Sequence, residues 1–157
     1  MREGDESVAV GFDWGFDHPM VELESLTMQG TVRPFSWLIR IPDLVKFLDH
    51  IRPVLNERLA QSHFHRYDGE LAITFYRSGV KFTFAQGKVK EIADFLPPSF
   101  REAGAGFPDL TFYFLLLGSR TFEELEFACP DCYVRKQIDR ALLNALFPKI
   151  PSSIWPL

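Results

Sequence analysis

The residues best equipped for chemistry in this sequence are two cysteines, four histidines and a glycine pair. Cys129-Pro130-Asp131-Cys132 is a C-x-x-C motif. Read as the lead-in to a helix, it could hold a redox pair, because a helix N-terminus stabilises a thiolate. It is also half of a zinc set, with His63-x-His65 offering the other half. The completing pattern is missing, since no second C-x-x-C follows and no βαβ unit surrounds this one. The cysteines are therefore read as small buried residues flanking a helix cap, and no metal site is assigned. Arg101-Glu102-Ala103-Gly104-Ala105-Gly106 fits R-x-x-G-x-G. Glycines in such a run let the backbone approach a pyrophosphate while the next helix start supplies N–H donors. Pro97-Pro98 stand where a strand should lead in, and Pro108 removes a donor just after, so the segment is read as a loop. His50 falls on the outer side of a helix and reads as solvated. Neither a G-x-S-x-G elbow nor an H-E-x-x-H motif is present. No catalytic residue and no cofactor is assigned.

The sixteen phenylalanines need a different explanation. Phe75, Phe82, Phe84, Phe107, Phe112 and Phe114 are expected to face one sheet–helix interior, as an aromatic core or around an apolar pocket. The candidate groove lining is Phe82, Phe84, Phe112, Phe114 and Leu115. Within that set Phe82 and Phe112 are expected in the core, and Phe114 at a groove or partner contact.

The elements that would position these residues follow from periodicity. Residues 32–41 carry Phe35, Trp37 and Ile39 at period two, which predicts a strand kept to an edge or a late start by Pro34. Pro42 suits a first helical position, with Asp43 in the first turn. Leu44, Leu48, Ile51, Leu55 and Leu59 form one helical stripe, which Pro53 kinks or splits. Leu71, Ile73 and Phe75, then Val80, Phe82 and Phe84, alternate about a turn at residues 77–79 and predict a hairpin. Gln86-Gly87 makes a second turn. A weaker third strand follows, with either Val89, Glu91 and Ala93 or Lys88, Lys90 and Ile92 on its buried side. Residues 96–108 read as a loop. Residues 109–117 are apolar nearly all round and predict a buried helix, with Gly118 at its C-cap. Thr121-x-x-Glu124 is a capping box opening a helix to about Ala128. Residues 133–147 predict a last helix with Val134, Ile138, Leu142 and Leu146 inward. Strands and helices segregate, so the predicted fold class is α+β, an antiparallel or mixed sheet covered by helices.

Charge divides the chain. Residues 1–30 hold one arginine and seven acids, a net of −6, and the other 127 residues a net of +2. Residues 1–30 read as an acidic tail or linker and residues 31–157 as the domain. With no basic stripe, nucleic acid is not an expected partner. With no long apolar run, no membrane span is expected. Two cysteines and no basic-then-apolar leader make the cytoplasm the expected location.

Three runs carry a family resemblance: PDLTFYFLLLGSRTFEEL at residues 108–125, ACPDCYV at 128–134, and ALLNALFPKIPSSIWPL at 141–157. Together they resemble the C-terminal, sterol-carrier-protein-like domain of bacterial GNAT acetyltransferases of the enhanced-intracellular-survival type. The matching features are the Leu115–Gly118 apolar segment, the Glu123–Leu125 turn, the Pro130-Asp131 break and the closing Leu146–Pro148. The resemblance spans roughly residues 32–156 and implies an α+β domain with helices around an apolar groove. It implies a non-catalytic accessory role in assembly or active-site closure, with an acetyltransferase catalytic domain or a second copy as partner. One alternative is a small carrier of a lipid or other apolar molecule. Another is a degenerate acetyl-CoA-binding enzyme built on the R-x-x-G-x-G run, which is the pyrophosphate pattern of the GNAT enzymes. The terminal carboxylate that serves as a base in that family is not assigned to Leu157.

Overall fold

The described residues are 38–96, 102–108 and 110–150, in a computed structural model of the chain. Asp43, rather than Pro42, starts the first helix, because its extended backbone (φ −138°) lets the carboxylate accept the Lys46 N–H at 3.0 Å. Helix α1, Leu44–His50, ends at Ile51, and α2, Arg52–Ala60, begins there with Pro53 in its first turn. Proline lacks an N–H and fits only where that donor is unused, so the predicted stripe splits at this point. Leu48, Leu55 and Leu59 stay buried across the break.

Three strands follow as a meander: β1, Gly69–Thr74; β2, Gly79–Ala85; and β3, Lys88–Asp94. The hairpin register pairs Leu71 with Phe82 and Ile73 with Val80, which puts these four on one buried face. Lys81 and Glu70 pair on the other face at 3.2 Å. The β2–β3 turn is Gln86-Gly87, with φ of 52° and 72°. Both values lie in the left-handed region demanded by a two-residue hairpin turn. A side chain at Gly87 would also run into the His65 backbone carbonyl. A bulge between Thr83 and Phe84 shifts the β2–β3 register. Val89 and Ile92 are therefore both buried at a spacing of three, one from each of the two predicted alternations. The free edge of β3 is covered, since the Val89 N–H donates to Asn56 Oδ1 at 2.8 Å and Arg52 donates to the Lys90 carbonyl at 3.2 Å.

Two short strands complete the sheet. β4, Ala105–Gly106, runs parallel to β1, and β5, Tyr133–Val134, antiparallel to β4, giving the order β3-β2-β1-β4-β5. Helices α3 (Thr111–Leu116), α4 (Phe122–Ala128) and α5 (Gln137–Leu146) make up the rest of the described elements. The fold is α+β with a mixed sheet and helices. The Thr121/Glu124 capping box forms with both reciprocal bonds, at 2.9 and 3.2 Å.

Four expectations change. Residues 38–40 form no strand, and Leu38 and Ile39 are exposed; Phe35 and Trp37 lie outside the described residues. The loop read over 96–108 contains β4, because β1 offers it an open parallel edge. Residues 133–134 are strand, so α5 starts four residues later than Tyr133. Its inward face is Asp139, Leu142, Leu143 and Leu146, with Ile138 exposed. The 110–117 segment is buried on one side only. Phe112, Leu115 and Leu116 face inward, while Leu110, Phe114 and Leu117 are 58%, 50% and 39% exposed. Among the described residues no helix is long and apolar enough to cross a membrane.

Candidate functional site

The β1–β2 turn, the lead-in to α1 and the first turn of α3 meet around a cleft of about 550 Å³. The turn is tightly tied. Phe75 N–H donates to the Ser78 carbonyl at 2.7 Å, and Tyr76 N–H to Thr74 Oγ1 at 3.1 Å. Tyr76 has φ of 67°, uncommon for a bulky side chain. Its hydroxyl reaches across to donate to the Asp131 carbonyl at 2.7 Å. This leaves Phe75 and Arg77 facing the cleft. The lining mixes apolar side chains, from Ile41, Leu44, Val45, Phe75, Phe112 and Tyr113, with Asp43, Arg77, Ser78 and Asp94. Asp43 is held by Lys46 at 2.8 Å, and hydrogen bonding to Lys46 lowers its pKa. Apolar side chains interspersed with a few charged groups are the arrangement that takes an amphipathic side chain or small molecule.

The predicted groove residues are not gathered there. Phe82 packs against Phe84 (6.1 Å between ring centres) and Phe147 (6.4 Å), and Phe84 against Tyr67 (5.6 Å). With Leu115 they belong to the filled core. Phe112 does both jobs. It touches Phe75, Phe107 and Phe147 at 5.3, 5.3 and 5.5 Å and also lines the cleft. Phe114 points outward, because it shares the i, i+4, i+7 stripe of Leu110 and Leu117 rather than the inward stripe of Phe112 and Leu115. The cleft residues 41–45 and Arg77 escaped sequence reading, since nothing local distinguishes them from helix-entry and turn residues.

The glycine run is structural. Gly104 N–H donates to the Ala72 carbonyl at 2.9 Å and Phe107 N–H to Thr74 at 3.0 Å, so β1 takes the donors a phosphate would need. A side chain at Gly104 would meet Asp139 Oδ2 at 2.7 Å, and one at Gly106 would overlap the Tyr133 ring. Arg101, Pro97, Pro98 and Asp109 lie outside the described residues.

Asp139 was also missed. It is 6% exposed at the start of α5, and burial raises its pKa, with Lys136 opposing. Its only sequence signal was a polar residue between Ile138 and Leu142. By contrast, Arg140 is well paired, bidentate to Glu126 at 2.8 and 2.9 Å and stacked over Phe122 at 4.6 Å.

The C-x-x-C follows a helix rather than opening one, with Cys129 as the C-cap of α4. Cys132 is 2% exposed, and burial pushes its pKa up to about 11. His63 and His65 are exposed in the loop between α2 and β1. Among the described residues no three His, Cys, Asp or Glu side chains form a metal-binding group. His18 lies outside the described residues. Compared with family models, curated proteins and solved structures, the chain matches none of them.

Proposed function

We propose that this chain is a non-catalytic accessory domain that seats an apolar element of a neighbouring catalytic domain, of the GNAT acetyltransferase kind, against its cleft and the outer face of α3. The observation that carries the reading is the exposed Leu110–Phe114–Leu117 stripe, which adjoins the cleft through Leu110. An exposed apolar stripe beside a concave surface of mixed polarity is the pattern of an interaction surface. The sterol-carrier-like sequence pattern supports the same role, and the cytoplasm is its proposed setting. A second reading, a small carrier of a lipid or other apolar molecule, draws on the cleft volume, which falls within the few-hundred to about 1,000 Å³ typical of small-molecule sites.

Two measurements separate these readings from each other and from an acetyl-CoA enzyme. Native mass spectrometry of the purified chain should show the bare protein mass; a stoichiometric apolar adduct would establish the carrier instead. Calorimetric titration with acetyl-CoA should show no binding. Micromolar binding abolished by Gly104→Asp would overturn the accessory reading in favour of the enzyme.

A further inference from the structure

Cys129 and Cys132 play no part in the docking reading, yet the fold arranges them as a pair. Cys129 caps α4, its N–H on the Leu125 carbonyl at 2.8 Å. The chain then reverses, and the Cys132 N–H donates to the Cys129 carbonyl at 2.9 Å, closing a four-residue turn through Pro130 and Asp131. Such a turn keeps its first and last Cα atoms within about 7 Å. A disulfide spans Cα separations of about 4.4–6.8 Å, so the backbone already holds the pair in reach. The side chains adjoin as well, since the Cys129 thiol is one of the groups acting on Cys132. The turn is clamped from two sides. Tyr76 donates to the Asp131 carbonyl, and Cys132 Sγ donates to Thr111 Oγ1 at 3.8 Å. Thr111 opens α3 between the cleft residues Leu110 and Phe112. Cys129 is half-buried and Cys132 fully buried, so one sulfur can meet a dissolved oxidant and the other is sheltered behind it.

We propose that Cys129 and Cys132 form a reversible disulfide couple, entered at Cys129 and closed by Cys132, with a low-molecular-weight disulfide of the glutathione type as oxidant. The Cys129 thiolate attacks one sulfur of the oxidant. The oxidant's S–S bond breaks, a mixed disulfide forms on Cys129, and the first small thiolate leaves and takes up the proton that Cys129 lost. Cys132 then gives up its proton and attacks Cys129 Sγ, and the second small thiolate leaves and is protonated. Two protein thiols are oxidised by two electrons, and one disulfide is reduced to two thiols. Closure removes the S–H that donates to Thr111, and with it one tie between the turn and the cleft wall.

The test treats the full, natively folded chain with excess oxidised glutathione, quenches in acid, alkylates free thiols and reads the intact mass. The expected product is a monomer lighter by the mass of two hydrogen atoms, with no alkylated cysteine and no retained glutathione, and dithiothreitol restores both thiols. Cys132→Ser should stop with one glutathione on Cys129. Cys129→Ser should react slower by an order of magnitude or more, because a buried thiol is inert. Two alkylatable cysteines after treatment, a lasting glutathione adduct on the unmutated chain, or a covalent dimer would overturn the couple. Cys129→Ser reacting as fast as the unmutated chain would overturn the assignment of the entry thiol. The unmutated chain and Cys129→Ser suffice if Cys132→Ser does not fold.

Discussion

The β1–β2–β3 meander and the β4–β5 pair share one sheet but are held by different forces. In the meander, six-residue β1 and seven-residue β2 and β3 turn Leu71, Ile73, Val80, Phe82, Phe84, Val89 and Ile92 inward, and a left-handed turn at Gln86-Gly87 joins β2 to β3. The β1–β2 hairpin can be read from local alternation and its turn alone. The strands of the β4–β5 pair have two residues each and no alternation. They exist because β1 presents an open edge, because Gly104 and Gly106 leave room for Asp139 and Tyr133, and because Arg135 ties back. The Arg135 N–H donates to the Gly104 carbonyl at 2.9 Å and its Nε to the Ala103 carbonyl at 3.2 Å. The meander is written in side-chain period; the pair is written in close approach.

The largest effect should come from the ring that joins both regions to the helices. Phe112→Ala should cost about 3–5 kcal/mol in denaturant unfolding, as buried aromatic truncations do. A loss well below that would mean the cleft, not the core, owns this ring. Gly106→Leu should cost about 1–3 kcal/mol by overpacking against Tyr133. Its signature should be selective, with amide exchange accelerated at Val134 and Arg135 while Phe82 and Ile92 stay protected. Equal acceleration everywhere would erase the distinction between the two regions.

A smaller effect should appear as pH dependence. Burial raises the Asp139 pKa above its ordinary 3.8. The folded state therefore binds the proton more tightly than the unfolded state. Its stability contribution is complete below the unfolded value and is lost as pH rises through the folded one. Asp139→Asn should match the unmutated chain near pH 3 and become the more stable of the two as pH climbs past about 4. Unfolding curves at several pH values check this; parallel profiles would show that Asp139 carries no buried charge. Smallest of all, Phe114→Ala should change stability by less than about 0.5 kcal/mol, as surface substitutions do. Under the proposed docking role it should instead weaken association with the catalytic partner.

What could be read in advance follows the same division. Leu71, Ile73, Val80 and Phe82 announce their face by alternation, Pro53 announces the helix break, and Thr121 with Glu124 announces a cap. Each signal lies within a few residues of its consequence. The candidate site was less legible. Phe82, Phe84 and Leu115 are apolar enough for either a groove or a core, and only neighbours distant in sequence, such as Phe147, filled the space around them. The actual cleft joins residues 41–45, 75, 77–80, 94, 110 and 112–113, which have no sequence period in common.

By itself, then, the sequence determined the α+β class, the split helix, the three-stranded meander and the capped α4, because turns, caps and side-chain period act over one or two turns of chain. The tertiary structure alone decided that residues 105–106 and 133–134 are strands and that Asp139 is interior. In each of these the local preference is weak, and the outcome rests on which distant surface is left unpaired or unfilled when the larger elements have packed.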